Sequence, residues 1–295
     1  MCGCANQSPR QHKRPELPGD IFNQVAKLMI ILYDHASNDG HKAWTPGSRR
    51  TRSMILFQSP TGDSESSTST RYMLDYKKIP YRLIPIEYPN LESKLKELGL
   101  PPCGVRSDGS GHYICPSIVH EETGIAISDP YQMAEYFDKA FPGTSPVLPP
   151  GTKSLQAAFY DQFDKLLDDL WLLMMVKIPY SVLNPESSVY FTCSRAASYG
   201  APFEEIAPQG EARKEAWTEI KEAFDLADGW IKKSSGPYFG GDTPIFSDFA
   251  IGGFLHFIRR VSGEESKEWI SVKKWNGGRW ILYLDGLDKL TGTEI

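Results

Sequence analysis

The stretch "HYICPSIVHEETGIAISDPYQMAEYFDKAF", His112 to Phe141, decides the fold. "HYICPSIVHEE" and "TGIAISD" read as two short strands joined by a Glu-Thr-Gly turn, a hairpin signal. The helix that follows has a clear beginning. Asp129 can cap it, Pro130 suits its first position, and Gln132 completes a capping-box pattern. Met133, Tyr136, Phe137 and Ala140 form one apolar face. Pro116 is the anomaly, because proline normally interrupts a strand interior. A cis-proline at a strand start explains it, and would let the Cys115 backbone N–H and C=O pair with an extended peptide as an added strand does. An edge-strand or bulge proline explains it too.

Upstream, "LMIILYDHA" (Leu28 to Ala36) and "YRLIPIEY" (Tyr81 to Tyr88) are short apolar runs that read as strands. "LESKLKELG" then puts Leu91, Leu95 and Leu98 on one helical face, with Gly99 as the stop. The order strand, helix, strand, helix, hairpin, helix describes a mixed sheet with helices packed on it, in a domain of about a hundred residues. Downstream, "FPGTSPVLPPGT" reads as an interdomain linker. The rest is helical in pattern. "LQAAFYDQFDKLLDDLWLLMMVKI" and "EARKEAWTEIKEAFDLADGWIKKS" are long and amphipathic. "SDFAIGGFLHFIRRV" is apolar nearly all round and reads as a buried central helix.

Composition sets limits on function. The net charge of −5 does not suit a general nucleic-acid binder. No apolar run approaches the roughly 20 residues of a membrane span. The first 20 residues lack the apolar core of a secretory signal and read as a disordered extension with a small basic patch; Cys2 and Cys4 offer acylation sites. Five scattered cysteines argue against a disulfide framework and for a reducing, cytoplasmic compartment. Cys2-x-Cys4 has no second Cys or His pair at zinc spacing, so no metal site is expected.

A second anomaly lies between Trp44 and Tyr81. Thr51-Arg52-Ser53-Met54-Ile55-Leu56 looks like the beginning of a helix, and Thr70-Arg71-Tyr72-Met73-Leu74-Asp75-Tyr76 looks like the same beginning again. A polar Ser/Thr run separates them.

These features together resemble the cytosolic glutathione transferases: a small mixed sheet with a proline before its hairpin, a linker, and a helical domain with "GPYFGGDTPIFSDFAIGGFLHFIRRV" opening its buried helix. More narrowly, "KAWTPGS…TRYMLDYKKIPYRLIPIEYPNLESKLKELG" is similar to fungal members related to bacterial β-etherases. Those members read Trp-Ser-Pro-Asn-x-x-Lys-Thr-Arg, a helix, then Ile-Pro-Tyr and Glu-Tyr-Pro. The resemblance spans about residues 28 to 285.

The resemblance implies an α/β thioredoxin-like N-terminal domain followed by an all-α C-terminal domain. Its bounds are an extension 1–27, a glutathione-binding domain 28–142, a linker 143–151 and a helical domain 152–290. It implies glutathione as co-substrate and conjugation of hydrophobic aromatic electrophiles, with aryl-ether cleavage as the subgroup's chemistry. The alternative is a non-catalytic ligand-binding or regulatory member. It also implies a homodimer of the kind such proteins often form.

The family's thiol-facing serine after Trp44 is Thr45 here, with Ser48 as a backup donor. Both also suit plain turn and cap roles. Cys115 and Pro116 would pair with the tripeptide backbone. Asp129 would meet its ammonium, though the family's following serine is Pro130, and its Asn after Pro is Gly47. Asp248 matches the acidic half of a helix-start box whose usual Ser partner is Ile245, a feature of folding rather than catalysis. Trp171, Met174, Met175, Tyr190, Arg195 and Tyr199 are the acceptor-site candidates between the domains. Removing Ser53 to Arg71, 19 residues, restores the family spacing. An unspliced intron and a genuine Ser/Thr-rich loop both account for that insert.

Overall fold

The structure, a computed structural model, describes residues 29–40, 67–105 and 109–292. The extension 1–27, Trp44, Thr45, Ser48 and the first part of the insert lie outside the described residues.

The apolar run after Leu28 becomes β1 (Ile30–His35), buried along its whole length. It lies at the centre of a four-stranded sheet of order β2-β1-β5-β6. β2 (Tyr81–Ile86) runs parallel to it, Ile30 opposite Tyr81 and His35 opposite Ile86. β5 (Ser117–His120) is antiparallel to β1, and β6 (Ile125–Ile127) closes the hairpin with Ile118 opposite Ile127. β1 is covered on both faces, which is why its sequence is continuously apolar rather than alternating. Ile30 and Leu32 face the large core, while Ile31 and Tyr33 join Leu91 and Leu95 of α2 (Leu91–Glu97) on the other side. Pro85 is tolerated because β2 is an edge strand. A small ribbon of β3 (Gly104–Val105) and β4 (Gly111–His112) precedes β5; nothing in the sequence pattern announced it.

The parallel crossover is α1 (Ser67–Tyr76). Its first three residues, Ser67 to Ser69, come from the polar run, so the helix begins ahead of Thr70, where the repeated phrase places its beginning. Thr68, Ser69 and Thr70 are buried, the Thr70 hydroxyl lies 3.6 Å from Met133 Sδ, and Arg71 reaches Asp34 Oδ2 of β1 at 2.8 Å. The second copy of the repeated phrase therefore docks on the sheet. Because Thr-Arg occurs twice, deleting 53–71 or 51–69 gives the same sequence, so the spacing argument alone could not place the insert's edges.

α3 (Pro130–Ala140) starts as expected, with Asp129 Oδ1 accepting from the Gln132 N–H at 2.8 Å. The Pro-rich segment after it is pinned in place. Asp138 accepts from the Val147 and Leu148 N–H groups at 3.0 and 2.8 Å and from Lys77 Nζ at 2.6 Å. The long pattern beginning at Leu155 divides at Leu167 into α4 (Lys153–Leu166) and α5 (Asp168–Met175), where two aspartates suit the positive end of a new helix. α6 (Ile178–Ser181), α7 (Pro185–Tyr199) and α8 (Gly210–Ile231) follow. The buried central helix is α9 (Phe246–Ser262), and α10 (Lys267–Val272) and α11 (Arg279–Thr291) complete the bundle.

The N-terminal layer is thioredoxin-like and the rest is all-helical. The two meet where Tyr72 of α1 lies over Gly252 of α9; a Cβ at Gly252 would come 3.1 Å from the Tyr72 ring and 2.6 Å from Leu287. The Tyr72 hydroxyl donates to Asp288 of α11.

Candidate active site

The described candidate residues Cys115, Pro116 and Asp129 lie just before β5 and just before α3. The Cys115–Pro116 peptide is cis, and the strand proper starts only at Ser117, so proline precedes the strand rather than interrupting it. The Cys115 side chain is buried among Ile31, Tyr33 and the leucines of α2. It is the Cys115 backbone, not the thiol, that is positioned at the sheet's end. Asp129 caps α3, one residue after Ser128. Ser117 Oγ donates to the Ile114 carbonyl at 2.8 Å and lies 2.8 Å from Ser128 Oγ, so the loop before β5 and the start of α3 are tied by two buried hydroxyls. Neither serine stood out in the sequence; the signal was present only in the hairpin register, which sets them opposite each other.

β1 ends at His35, and the chain is described onward to Gly40. Helical segments hold it there. The Asn38 N–H donates to the Val182 carbonyl at 3.0 Å, and Asp39 pairs with Arg260 of α9. The chain leaving β2 is clasped by α7. Asn184 Nδ2 donates to Glu87 Oε1 at 2.6 Å, Ser187 Oγ donates to Glu87 Oε2, and the Tyr88 N–H donates to Ser187 Oγ at 2.9 Å. Tyr88 stacks on His35 at 4.3 Å. Burial, with the Arg195 charge adding to it, pushes His35 down to about 3, so its ring is neutral at any working pH.

The acceptor candidates do not share one surface. Trp171, Met174 and Met175 are packed in the helical core, with Trp171 stacked on Phe257 of α9 at 6.0 Å. Tyr190 points outward from α7, 42% exposed. Arg195 is buried against the Phe191 ring at 4.2 Å, and burial pushes its guanidinium down to about 9. Tyr199 lines a cavity of about 690 Å³ whose wall includes Leu172, Ile206, Asp169 and Glu219, and none of the other five candidates lines it.

Comparison with known proteins gives this arrangement a family. Residues 154–290 match the family model described as glutathione S-transferase, C-terminal domain. The glutathione S-transferase-like protein ustS of Aspergillus flavus is 27% identical over 232 residues, covering 72% of this chain and 82% of that protein. Among solved structures, a glutathione S-transferase of Ceriporiopsis subvermispora in complex with glutathione, CsGST63524, is 33% identical with a TM-score of 0.75, covering 90% of this chain and 98% of that one. Glutathione transferase GSTFuA2 from Phanerochaete chrysosporium is 27% identical with a TM-score of 0.74, covering 89% and 98%. On this likeness across both layers of the fold, the chain belongs to the glutathione S-transferase family.

Proposed function

We propose that the chain binds glutathione and transfers it to hydrophobic aromatic electrophiles, with aryl-ether cleavage as the characteristic reaction. The supporting observation is the Ser117–Ser128 hydroxyl contact, which ties the residue after Pro116 to the residue before Asp129, in a fold shared with a relative whose structure holds glutathione. In this reading residues 28–142 form the glutathione domain and 152–290 the helical domain. The Cys115 backbone pairs with the cysteinyl unit of the tripeptide, and the Asp129 carboxylate takes its ammonium. Pro130 supplies no N–H, so the γ-glutamyl end is held by charge more than by the helix terminus.

The thiolate is the nucleophile. It attacks the electrophilic carbon, a C–S bond forms, and the aryl oxide or halide leaves with the bonding pair. A hydroxyl donor stabilises the thiolate before attack, and Thr45 is assigned that role with Ser48 in reserve. Thr45→Val keeps the shape and removes the hydroxyl. It is expected to raise the pKa of the bound thiol by about one unit and lower turnover near neutral pH about tenfold. Rates recorded across pH check this: the loss should shrink as pH rises, because the thiol then ionises without help.

The test of the reading is conjugation of 1-chloro-2,4-dinitrobenzene and release of a fluorescent phenol from an aryl ether, both with glutathione. Glutathione-dependent product from either supports transferase activity, and product from the ether supports the narrower reaction. Binding of glutathione without product from either substrate identifies the chain as a ligand-binding member.

A further inference from the structure

We infer that Ser117 and Ser128 are positioning residues: their hydroxyls form a relay that sets the spacing between the two halves of the glutathione site. The inference rests on the glutathione reading above and adds to it the residues that hold the site in register.

The β5–β6 ladder ends at Ile118 opposite Ile127. Ser117 and Ser128 face one another in the next position, where the strands part toward the site. There the side chains take over the connection. Ser117 gives its proton to the Ile114 carbonyl at 2.8 Å, so its lone pair receives the proton of Ser128, the oxygens lying 2.8 Å apart. The relay therefore runs from the residue before Asp129 to the residue before Cys115. Ser117 is fully buried and Ser128 is 7% exposed, so water does not readily substitute for either hydroxyl.

Geometry makes this more than packing. A tripeptide must be held at its middle by the Cys115 backbone and at its amino end by Asp129 at the same time. An error in their separation weakens both contacts together. Pro130 has removed one anchor that the start of α3 could have offered, so the placement of Asp129 matters more in this chain.

Ser128→Val and Ser128→Thr have the same shape and differ in the hydroxyl. Both should be assayed in the full-length chain for glutathione affinity by calorimetry, for KM and kcat in conjugation, and for thermal midpoint. The Val variant is expected to weaken glutathione binding about tenfold, the equivalent of one lost hydrogen bond, and to raise KM for glutathione more than it lowers kcat. The Thr variant is expected to recover most of that loss. Ser117→Ala, which removes the hydroxyl without adding volume, should reproduce the Val result if the Val variant folds poorly. Equal affinities for the Thr and Val variants, or a lowered thermal midpoint with unchanged KM in Ser117→Ala, overturns the relay. A wild-type chain that does not bind glutathione overturns the glutathione reading, and the relay with it.

Discussion

Arg71→Ala is expected to destabilise the fold by about 3–5 kcal/mol, because it leaves a buried carboxylate without its ion-pair partner. Asp34 sits on the central strand with its side chain 2% exposed; one oxygen accepts from the His35 N–H and the other from Arg71, both at 2.8 Å. Urea unfolding of the variant measures the loss. The same experiment on Arg52→Ala separates the two copies of the repeated phrase. Asp34 Oδ2 is already taken by Arg71, so the Arg52 variant is expected to lose much less. A larger loss in Arg52→Ala would mean that the first copy docks and that α1 is misassigned.

Asp248→Ala is expected to cost a similar amount, about 3–5 kcal/mol, by stranding several buried donors at once. Asp248 is fully buried and accepts from the Phe239 N–H at 2.7 Å, the Ile245 N–H at 2.8 Å and the Tyr283 hydroxyl. It fixes the start of α9, on which both layers of the fold pack. Burial pushes its carboxyl up to about 6 against the opposing hydrogen bonds. The raised value gives a definite sign. The unfolded chain releases this proton first, so the stability that Asp248 contributes falls as pH rises from about 4 to about 6. The cost of Asp248→Ala should therefore be larger at pH 4.5 than at pH 7. Thermal or urea unfolding of both proteins at the two pH values checks it.

The sequence showed much of the fold because its main elements carry strong local signals. β1 is a run of apolar residues too short for a helix, α2 has leucines at helical spacing, and α3 has its cap and its proline in the expected places. α1 begins three residues ahead of Thr70, and the polar run hid this for a physical reason. Serine and threonine compete with their own backbone for hydrogen bonds and favour caps and turns, so the run looked like a loop. Burial against Met133 and the pairing of Arg71 with Asp34 override that local preference. The division at Leu167 was hidden because apolar spacing continues across it. Of the proposed site, Pro116 and Asp129 were legible because each is odd or conspicuous where it stands. Ser117, Ser128, Ser187 and Glu87 were not, because single serines and carboxylates are common and only the register and the docking of α7 bring them together. Arg195 is the one charged residue among the acceptor candidates, and its burial became visible only once α7 was placed.

The claim on which the rest depends is that this chain binds glutathione. Calorimetric titration of the full-length protein with glutathione tests it most directly, run beside the chain lacking 53–71. The expected result is saturable binding by the full-length protein, of the order of one tripeptide per chain. No binding by the full-length protein with glutathione in large excess would contradict the claim.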